Sequence, residues 1–462
     1  MPTLTQTYAY RGASTLSSEG ELRLATSGAV TPDGWSGEAR FFAGALRYPQ
    51  EAAAALLAVA DVAAADYRRR RSGLLDPVVT GHGDRLRFES FSACGGVYAQ
   101  LEVLAGGLDG VTGYGTTNVD VNLPLRDALS AVRPGEALHL RVGPEELEVR
   151  AAASREPVVE RKVALPERWV RGFGEVQAVL AGFDERARVP AAAAVRFLRS
   201  LPRGGSGPAQ WAVAAGGALR LTSRPVPGAV CLPGPERLGA LTRVLRFARA
   251  LTLYGPPPAP GGEPQAGAWE VELPGMRLLL VLSPDNARGF SGEGANLQGM
   301  LPAEEERDAV AVGECLAWQA RIDVRELARR CGLTEERVRA ALAVLAGAGR
   351  IGYCPAEAGY FHRELPFDAE AVERCNPRLG GARALVAEGR VRLTAWDGAE
   401  GSATVDDGRQ HVRRTRAGWS CTCEWWARYG GGRGPCKHVL GVQLALRGRE
   451  SVGGTVRTGA GA

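Results

Sequence analysis

Three cysteines and a histidine lie close together near the end of this chain, in the stretch CTCEWWARYGGGRGPCKH at residues 421–438. Cys421 and Cys423 are separated by one residue, and after twelve intervening residues Cys436 and His438 repeat that spacing. Thiolates and an imidazole are ligands that zinc prefers, and four of them complete its tetrahedron. Because four protein ligands leave no position open for water, the pattern predicts one structural zinc ion and no catalytic metal.

Each pair needs a particular backbone to point its donor atoms at one metal. Residues two apart on a strand or in a tight turn face the same side, which suits Cys421 and Cys423. In the middle of a helix, Cys436 and His438 would point roughly 200° apart. We therefore expect this second pair in the turn just before a helix over 438–446. The glycine-rich loop between the pairs gives the chain room to fold back.

The spacing CxC followed by CxH resembles the SWIM zinc finger, over residues 385–447 of this chain. The resemblance implies a small ββα-type module, in which a sheet carries the first pair of ligands and a helix carries the second. Three segments ahead of the motif have strand-like sequences: 389–396, 401–407 and 409–421. The resemblance also implies four zinc ligands: Cys421, Cys423, Cys436 and His438.

The same module is basic. From Arg390 to Glu450 the chain carries eleven Arg and Lys against six Asp and Glu, a net charge of +5. Cations contact phosphates and aromatic rings stack on bases, so this surface is a candidate nucleic-acid interface. The alternative is that the aromatic side chains pack a small core and the arginines are solvated. The candidate contacts are Arg413, Arg414, Arg416, Trp425, Arg428, Arg433 and Lys437.

A wider part of the chain resembles bacterial proteins that contain a SWIM module. The stretches that carry this resemblance are DRLRFESFSACGGVYA at 84–99 and GTTNVDVNLPLRDAL at 115–129. It implies protein partners among the MoxR-type AAA ATPases and the von Willebrand A-domain proteins. It brings no catalytic residues with it.

Residues 323–353 have the pattern of a helix-turn-helix. Asp323 is suited to begin the first helix, Gly332 to end it, and Thr334 to begin the second. With a returning strand at 360–365, the pattern resembles a winged helix-turn-helix over 301–366. The exposed face of the second helix carries two glutamates and two arginines, which favours a protein-contact or spacer role over base reading. A DNA-binding regulator that uses this region and the zinc module is the alternative.

The region 1–300 has a mixed α/β pattern. Strand pairs alternate with a helix twice along it, which suggests a duplicated unit. The predicted helices cover 50–71, 124–132, two segments within 166–202, and 236–251. The predicted strands and hairpins cover 85–104, 137–151, 209–234 and 269–283.

Composition indicates an α+β multidomain protein without a membrane span. The chain has 462 residues, 45% of them hydrophobic and 23% charged, and no apolar run of eighteen or more. The first residues lack the pattern of a signal peptide, so we expect a cytoplasmic location. The six cysteines outside the motif lack paired spacings and are expected to be buried free thiols. The tail 448–462 is expected to be disordered.

Motifs of known catalytic sites are missing from the sequence. No GxxxxGK[ST] loop occurs, so the chain has no P-loop for ATP. GFGEVQ at 172–177 lacks the last glycine of a dinucleotide loop, and GFSGEG at 289–294 lacks the spacing of a nucleophile elbow. No general acid and base pair stands out. We therefore predict a non-enzymatic interaction protein with one structural zinc ion, which binds protein partners or nucleic acid.

Overall fold

A computed structural model describes most of the chain, and its architecture is mixed α+β with several sheets. The described residues are 8–10, 14–18, 20–24, 26–36, 41–67, 77–119, 121–142, 160–162, 167–202, 209–258, 262–285, 289–290, 303–365, 377–397, 400–430 and 434–453.

The strands are, in chain order, β1 (Tyr8–Tyr10), β2 (Thr15–Leu16), β3 (Glu21–Leu24), β4 (Thr26–Thr31), β5 (Gly34–Ser36), β6 (Phe42–Leu46), β7 (Val78–His82), β8 (Leu86–Phe91), β9 (Val97–Val103), β10 (Leu108–Thr112), β11 (Tyr114–Val119), β12 (Leu138–Val142), β13 (Glu160–Lys162), β14 (Asp184–Pro190), β15 (Gln210–Ala215), β16 (Ala218–Thr222), β17 (Val230–Leu232), β18 (Ala250–Gly255), β19 (Gly267–Leu273), β20 (Met276–Leu282), β21 (Ile351–Cys354), β22 (Gly359–His362), β23 (Val391–Trp396), β24 (Gly401–Val405), β25 (Gln410–Thr415) and β26 (Gly418–Cys421). The α-helices are α1 (Pro49–Ala64), α2 (Leu123–Ser130), α3 (Glu167–Leu180), α4 (Ala191–Ser200), α5 (Ala303–Glu314), α6 (Val324–Cys331), α7 (Glu335–Gly347), α8 (Pro377–Ala387), α9 (Glu424–Tyr429) and α10 (Lys437–Gly453).

A ten-stranded antiparallel sheet forms the centre of the N-terminal region. Its order is β14-β18-β19-β20-β9-β8-β7-β11-β4-β5, and a five-stranded sheet, β10-β6-β12-β3-β2, lies beside it. One face of the large sheet is apolar and packs against α1, whose alanine-rich sequence buries Ala55, Ala58 and Val62 completely. The other face is divided: α3 covers its apolar part with Trp169 and Phe173, and a set of charged side chains occupies the rest.

The two halves of this region meet at the centre of the large sheet. In each half a helix, α1 or α4, precedes three antiparallel strands that follow one another in the sheet, β7-β8-β9 or β18-β19-β20. The last strands of the halves pair with each other, with Met276 opposite Val103 and Leu282 opposite Val97. A helix followed by three strands thus recurs, but this is not the unit that the sequence suggests, whose second helix was placed at 236–251; duplication itself stays a prediction.

One predicted helix is wrong. The segment 236–251 forms short 3₁₀ turns over Pro235–Arg243 and Leu245–Phe247, and β18 begins at Ala250. An amphipathic helix would expose its arginines, but Arg237 is fully buried. Its guanidinium donates to the backbone carbonyls of neighbouring loops, and those bonds hold the irregular turn in place.

The predicted hairpin over 137–151 is also wrong in its pairing. Only β12 lies within the described part of this segment, and both of its edges are occupied by other strands. It pairs antiparallel with β6 and parallel with β3, so neither edge is open to a hairpin partner. Two further boundaries differ: α1 ends at Ala64, and the segment between the two helices predicted within 166–202 forms β14. Pairing with distant strands determines the structure of these segments, and the periodicity of the local sequence contains no information about that pairing.

Residues 303–365 form three helices followed by the hairpin β21-β22. The predicted helix starts are confirmed: Asp323 Oδ1 accepts the backbone N–H groups of Arg325 and Glu326, and Thr334 caps α7. Gly332 ends α6 with a φ of 64°, in the left-handed region that glycine adopts without strain. The order of these elements agrees with the predicted pattern, and membership of the winged-helix class stays a prediction.

The residues from 377 to 453, here called the zinc module, form an antiparallel four-stranded sheet, β23-β24-β25-β26, packed against α10 and α8. The module is therefore larger than the ββα unit that the sequence predicts, and the segment 409–421 divides into two strands. The helix α10 continues to Gly453, so 448–453 is helical and not disordered as predicted. The rest of that predicted tail, 454–462, lies outside the described residues.

Among the helices that the structure describes, none is long and apolar enough to cross a lipid bilayer.

Candidate zinc centre

The four predicted ligands lie on three adjoining pieces of the zinc module. Cys421 is the last residue of β26, opposite Val412 on β25, and Cys423 immediately precedes α9. Cys436 immediately precedes α10, and His438 is the second residue of that helix. All four side chains are buried, and their donor atoms lie within 4.8 Å of one another. The fold thus brings together every ligand that the sequence predicts.

Helix α10 begins at one of these sulfurs. The Cys436 carbonyl accepts the backbone N–H of Leu440 at 3.0 Å, and Cys436 Sγ accepts the N–H of Val439 at 3.5 Å. Cys436 therefore acts as the helix cap, while His438 lies in the first helical turn and not before it as expected. Since Cys436 precedes the helix, the 200° separation of a mid-helix pair does not apply.

The three thiols share protons within the cluster. The hydrogen bond from Cys421, together with those from His438 and the Val439 N–H, lowers the pKa of Cys436 to about 4 against the opposing effect of burial. Donating that bond raises the pKa of Cys421 above its ordinary value, and burial raises the pKa of Cys423. One sulfur is thus stabilised as a thiolate by the fold itself, and metal binding must displace the protons of the others.

The donor set fits a closed zinc site. Cys421 Sγ lies 3.8 Å from His438 Nδ1, so a modest contraction around one ion brings both to bonding distance. Three thiolates and a divalent ion leave one negative charge, which the N–H groups at the start of α10 stabilise. Zinc bound there would cross-link the sheet to both helices.

The module depends on such a cross-link because its core is small. Nine buried residues form the cluster under the sheet, and three of them, Cys421, Cys423 and Cys436, are the ligands themselves. Zinc bound there would therefore hold together a third of this cluster, and its removal would weaken the packing of the sheet on α10.

The predicted nucleic-acid contacts on the sheet lie in three different places. Arg413 projects from the outer face of β25, the face turned away from α10, between Ser402 and Ser420 of the neighbouring strands. Arg414 belongs to the inner face, with its guanidinium carbon 5.3 Å from the centre of the Trp419 ring. Arg416, in the β25–β26 turn, is almost fully exposed and lies 3.3 Å from a Glu400 oxygen.

The remaining candidates lie near the zinc ligands. Trp425, on α9, is half-buried and packs 4.7 Å from Tyr429, with the Arg378 guanidinium on its ring at 4.5 Å. Arg428 and Lys437 are exposed at α9 and at the start of α10. Arg433 lies outside the described residues. The structure thus spreads the predicted contacts over several surfaces, and Trp425 packs within the module.

Two further basic residues that the sequence alone does not single out, one arginine and one histidine, accompany Arg413 on the outer face. Arg392 on β23 and His411 on β25 flank Thr404, and both are exposed. Because Val412 is apolar and its neighbours His411 and Arg413 are polar, the sequence indicates which residues of β25 face outward. Without the register of the four strands, the sequence does not show that Arg392 shares this face.

His362, a side chain of a type that can transfer protons, lines a cavity of about 490 Å³ beside β22. The Trp318 backbone N–H donates to its Nδ1 at 2.8 Å, and its Nε2 lies 2.9 Å from Glu364 Oε1. Since both ring nitrogens already have partners, His362 holds the hairpin in place and offers no nitrogen to a substrate.

Comparisons with known proteins identify the zinc module. Residues 414–446 match the sequence model of the SWIM zinc finger. A solved structure, proliferating cellular nuclear antigen from Entamoeba histolytica, matches with 7% identity over 54% of this chain and 100% of that chain. Its TM-score of 0.32 is too low to bear on the fold. No curated protein matches the chain. The chain therefore carries a SWIM zinc finger at residues 414–446, whose Cys421, Cys423, Cys436 and His438 cluster is consistent with one structural zinc ion.

Proposed function

We propose that this chain is a non-enzymatic, zinc-stabilised binding protein whose zinc module contacts the phosphate backbone of nucleic acid. The outer face of the sheet β23–β26 supports this proposal best. Arg392, His411 and Arg413 project from that face, and serines and threonines occupy positions between them. None of the described strand residues on this face is Asp or Glu. Hydroxyl groups and cations side by side are the donors that phosphate oxygens accept.

Three carboxylates of the module are engaged away from this face. Glu388, Asp406 and Asp407 surround Arg390 at one end of the sheet, and they stabilise the β24–β25 turn. No described carboxylate forms an ion pair with Arg392 or Arg413. The positive potential of the outer face is therefore not cancelled locally, which favours a polyanionic ligand.

The arrangement suits contact with the backbone and not reading of the bases. Arg392 and Arg413 lie on strands of the sheet, and neither belongs to a helix that could enter the major groove. The stacked pair Trp396 and Trp419, with ring centres 5.9 Å apart, lies on the opposite, inner face. We therefore expect binding with little sequence preference and a strong dependence on salt.

The test uses the full-length, zinc-loaded protein and fluorescent single-stranded and double-stranded DNA. We expect Arg392→Glu with Arg413→Glu to weaken binding and to reduce the slope of log affinity against log salt by about 2, since each phosphate contact contributes about 0.9. Arg325→Glu with Arg329→Glu is the matched control, because it makes the same charge change on exposed arginines of α6.

Two results would contradict the proposal. One is the absence of DNA binding at low salt by protein that contains one zinc ion per chain. The other is an equal loss of binding in the α6 control, which would show that only net charge matters.

An adaptor role beside MoxR-type AAA ATPases and von Willebrand A-domain proteins rests on the broader sequence resemblance and stays a prediction, as does a cytoplasmic location. Purification of the tagged chain with its bound proteins tests the adaptor role directly.

A further inference from the structure

Two cysteines outside the zinc site meet in the 303–365 region. Cys315 follows the last residue of α5, and Cys331 is the last residue of α6. Their sulfur atoms lie 3.3 Å apart, although sixteen positions separate them in the sequence. Both side chains are half-buried, whereas their spacing in the sequence predicts separate, buried thiols. Only the packing of α6 against α5 brings them together.

The backbone holds both thiols in this position. The Cys315 N–H donates to the Val312 carbonyl at 3.0 Å, and Cys331 Sγ lies 3.8 Å from the Ala311 carbonyl oxygen on α5. A disulfide bond has a sulfur separation of about 2.05 Å, so the two atoms need to approach by only a little more than 1 Å. Partial exposure leaves the pair accessible to small oxidants.

We propose that Cys315 and Cys331 form a reversible disulfide bond that links α5 to α6, with a hydroperoxide as the oxidant. In the first step one sulfur attacks a peroxide oxygen and becomes a sulfenic acid, while the O–O bond breaks and, for hydrogen peroxide, water leaves. In the second step the other sulfur attacks the sulfenic sulfur, the S–S bond forms, and the oxygen leaves as a second water. The two thiols lose two electrons and two protons in total, and the peroxide is reduced to water.

The chemical environment makes Cys331 slow to react with an oxidant. Burial and the hydrogen bond to Cys315 raise the pKa of Cys331 to about 11, so little thiolate is present at neutral pH. Since the thiolate is the attacking species, the oxidation should accelerate as pH rises. In a reducing compartment the thiols would predominate, and the bond would form only when peroxide is present.

The experiment maps disulfides in full-length, zinc-loaded protein over a time course with excess hydrogen peroxide at pH 7 and at pH 9, followed by alkylation and non-reducing tryptic digestion. The expected product joins the peptides 308–321 and 331–337 and is lighter by two hydrogen atoms than their sum. A reducing agent should restore both thiols. Zinc released into solution is measured in the same samples, to separate this reaction from oxidation of the zinc ligands.

Two single variants and one control make the result specific. Cys315→Ser and Cys331→Ser should each abolish the linked peptide and retain zinc, whereas Cys231→Ser, which removes a buried thiol elsewhere, should leave the linked peptide unchanged. The proposal is overturned if wild-type protein gives no linked peptide, or if both cysteines accumulate as sulfinic acids instead. It is also overturned if the link forms only after zinc has been lost.

Discussion

The 303–365 region and the zinc module are both small, and each combines helices with a short sheet, but they are stabilised in opposite ways. The 303–365 region packs on the rest of the chain through its hairpin. Arg363 and Glu89 form an ion pair with both side chains fully buried, and Glu357 lies 3.0 Å from Arg277 on the large sheet. The zinc module instead concentrates its cross-links inside itself, at four metal ligands.

The same contrast holds for their arginines. On α7, Arg337 forms two hydrogen bonds to Asp308 of α5, at 2.7 and 2.8 Å, and Arg339 lies 2.7 Å from Glu335. On the outer face of the zinc module, Arg392 and Arg413 have no such partners among the described carboxylates. The helix-turn-helix pattern therefore uses its arginines to connect its own helices, whereas Arg392 and Arg413 form no ion pair with a described carboxylate.

The largest expected effect is loss of the metal. Cys436→Ala should reduce zinc from one per chain to none and abolish hydrogen-exchange protection across 391–446, because structural zinc contributes on the order of 10 kcal/mol to such folds. Elemental analysis and hydrogen exchange measure both outcomes. Cys231→Ala should keep its zinc. A Cys436→Ala protein with one bound zinc ion would show that the ligand set is wrong.

Breaking the buried ion pair should have the next largest effect. Arg363→Met leaves Glu89 charged and buried without its partner, which we expect to destabilise the docked hairpin by about 3–5 kcal/mol. The measurement is denaturant unfolding with hydrogen exchange of 351–362. Arg339→Met removes an exposed partner of Glu335 and should cost about 0.5 kcal/mol or less. Equal costs for the two variants would mean that the hairpin does not dock as described.

The free energy of unfolding should also depend on pH through Glu270, a buried carboxyl group on β19 of the large sheet. Burial raises the pKa of Glu270 from 4.5 to about 7. Between these values the folded chain holds a proton that the unfolded chain has lost, so this group makes stability fall as pH rises from about 4.5 to 7. The difference is about 3 kcal/mol.

Glu270→Gln should remove that fall and make the protein more stable than wild type at pH 8. The measurement is the free energy of unfolding of wild type and of Glu270→Gln, each at pH 5 and at pH 8. Glu272→Gln, on the same strand but partly exposed and paired with Arg188, is the control and should keep the fall. Parallel pH profiles for wild type and Glu270→Gln would contradict the assignment.

The smallest effect is expected on α7. Arg337→Gln with Arg339→Gln should change DNA affinity by less than about twofold, because both side chains are already engaged within the 303–365 region. The binding measurement is the one used for the Arg392 and Arg413 variants. A loss comparable to theirs would move the nucleic-acid interface to the helix-turn-helix.

The sequence was most informative where local chemistry fixes the structure. The ligand spacing is enough to identify the zinc site, and Asp323, Gly332 and Thr334 mark helix ends because caps act within one turn. It was misleading where distant strands compete for a segment. Ala250 is the first residue of a strand, whereas the sequence predicts that it belongs to a helix. Two neighbouring strands of the large sheet pair with it and hold it in the sheet.

The amino-acid sequence by itself therefore determined the identity of the metal ligands and the capped starts of two helices. Only the tertiary structure decided which arginines have carboxylate partners and which thiols lie next to each other. The register of the four strands places Arg392 and Arg413 on the same face of the sheet. Arg337 donates a hydrogen bond to Asp308 of another helix. Cys315 lies beside Cys331, which is sixteen positions away in the sequence. Such relations depend on long-range packing, which no local spacing in the sequence encodes.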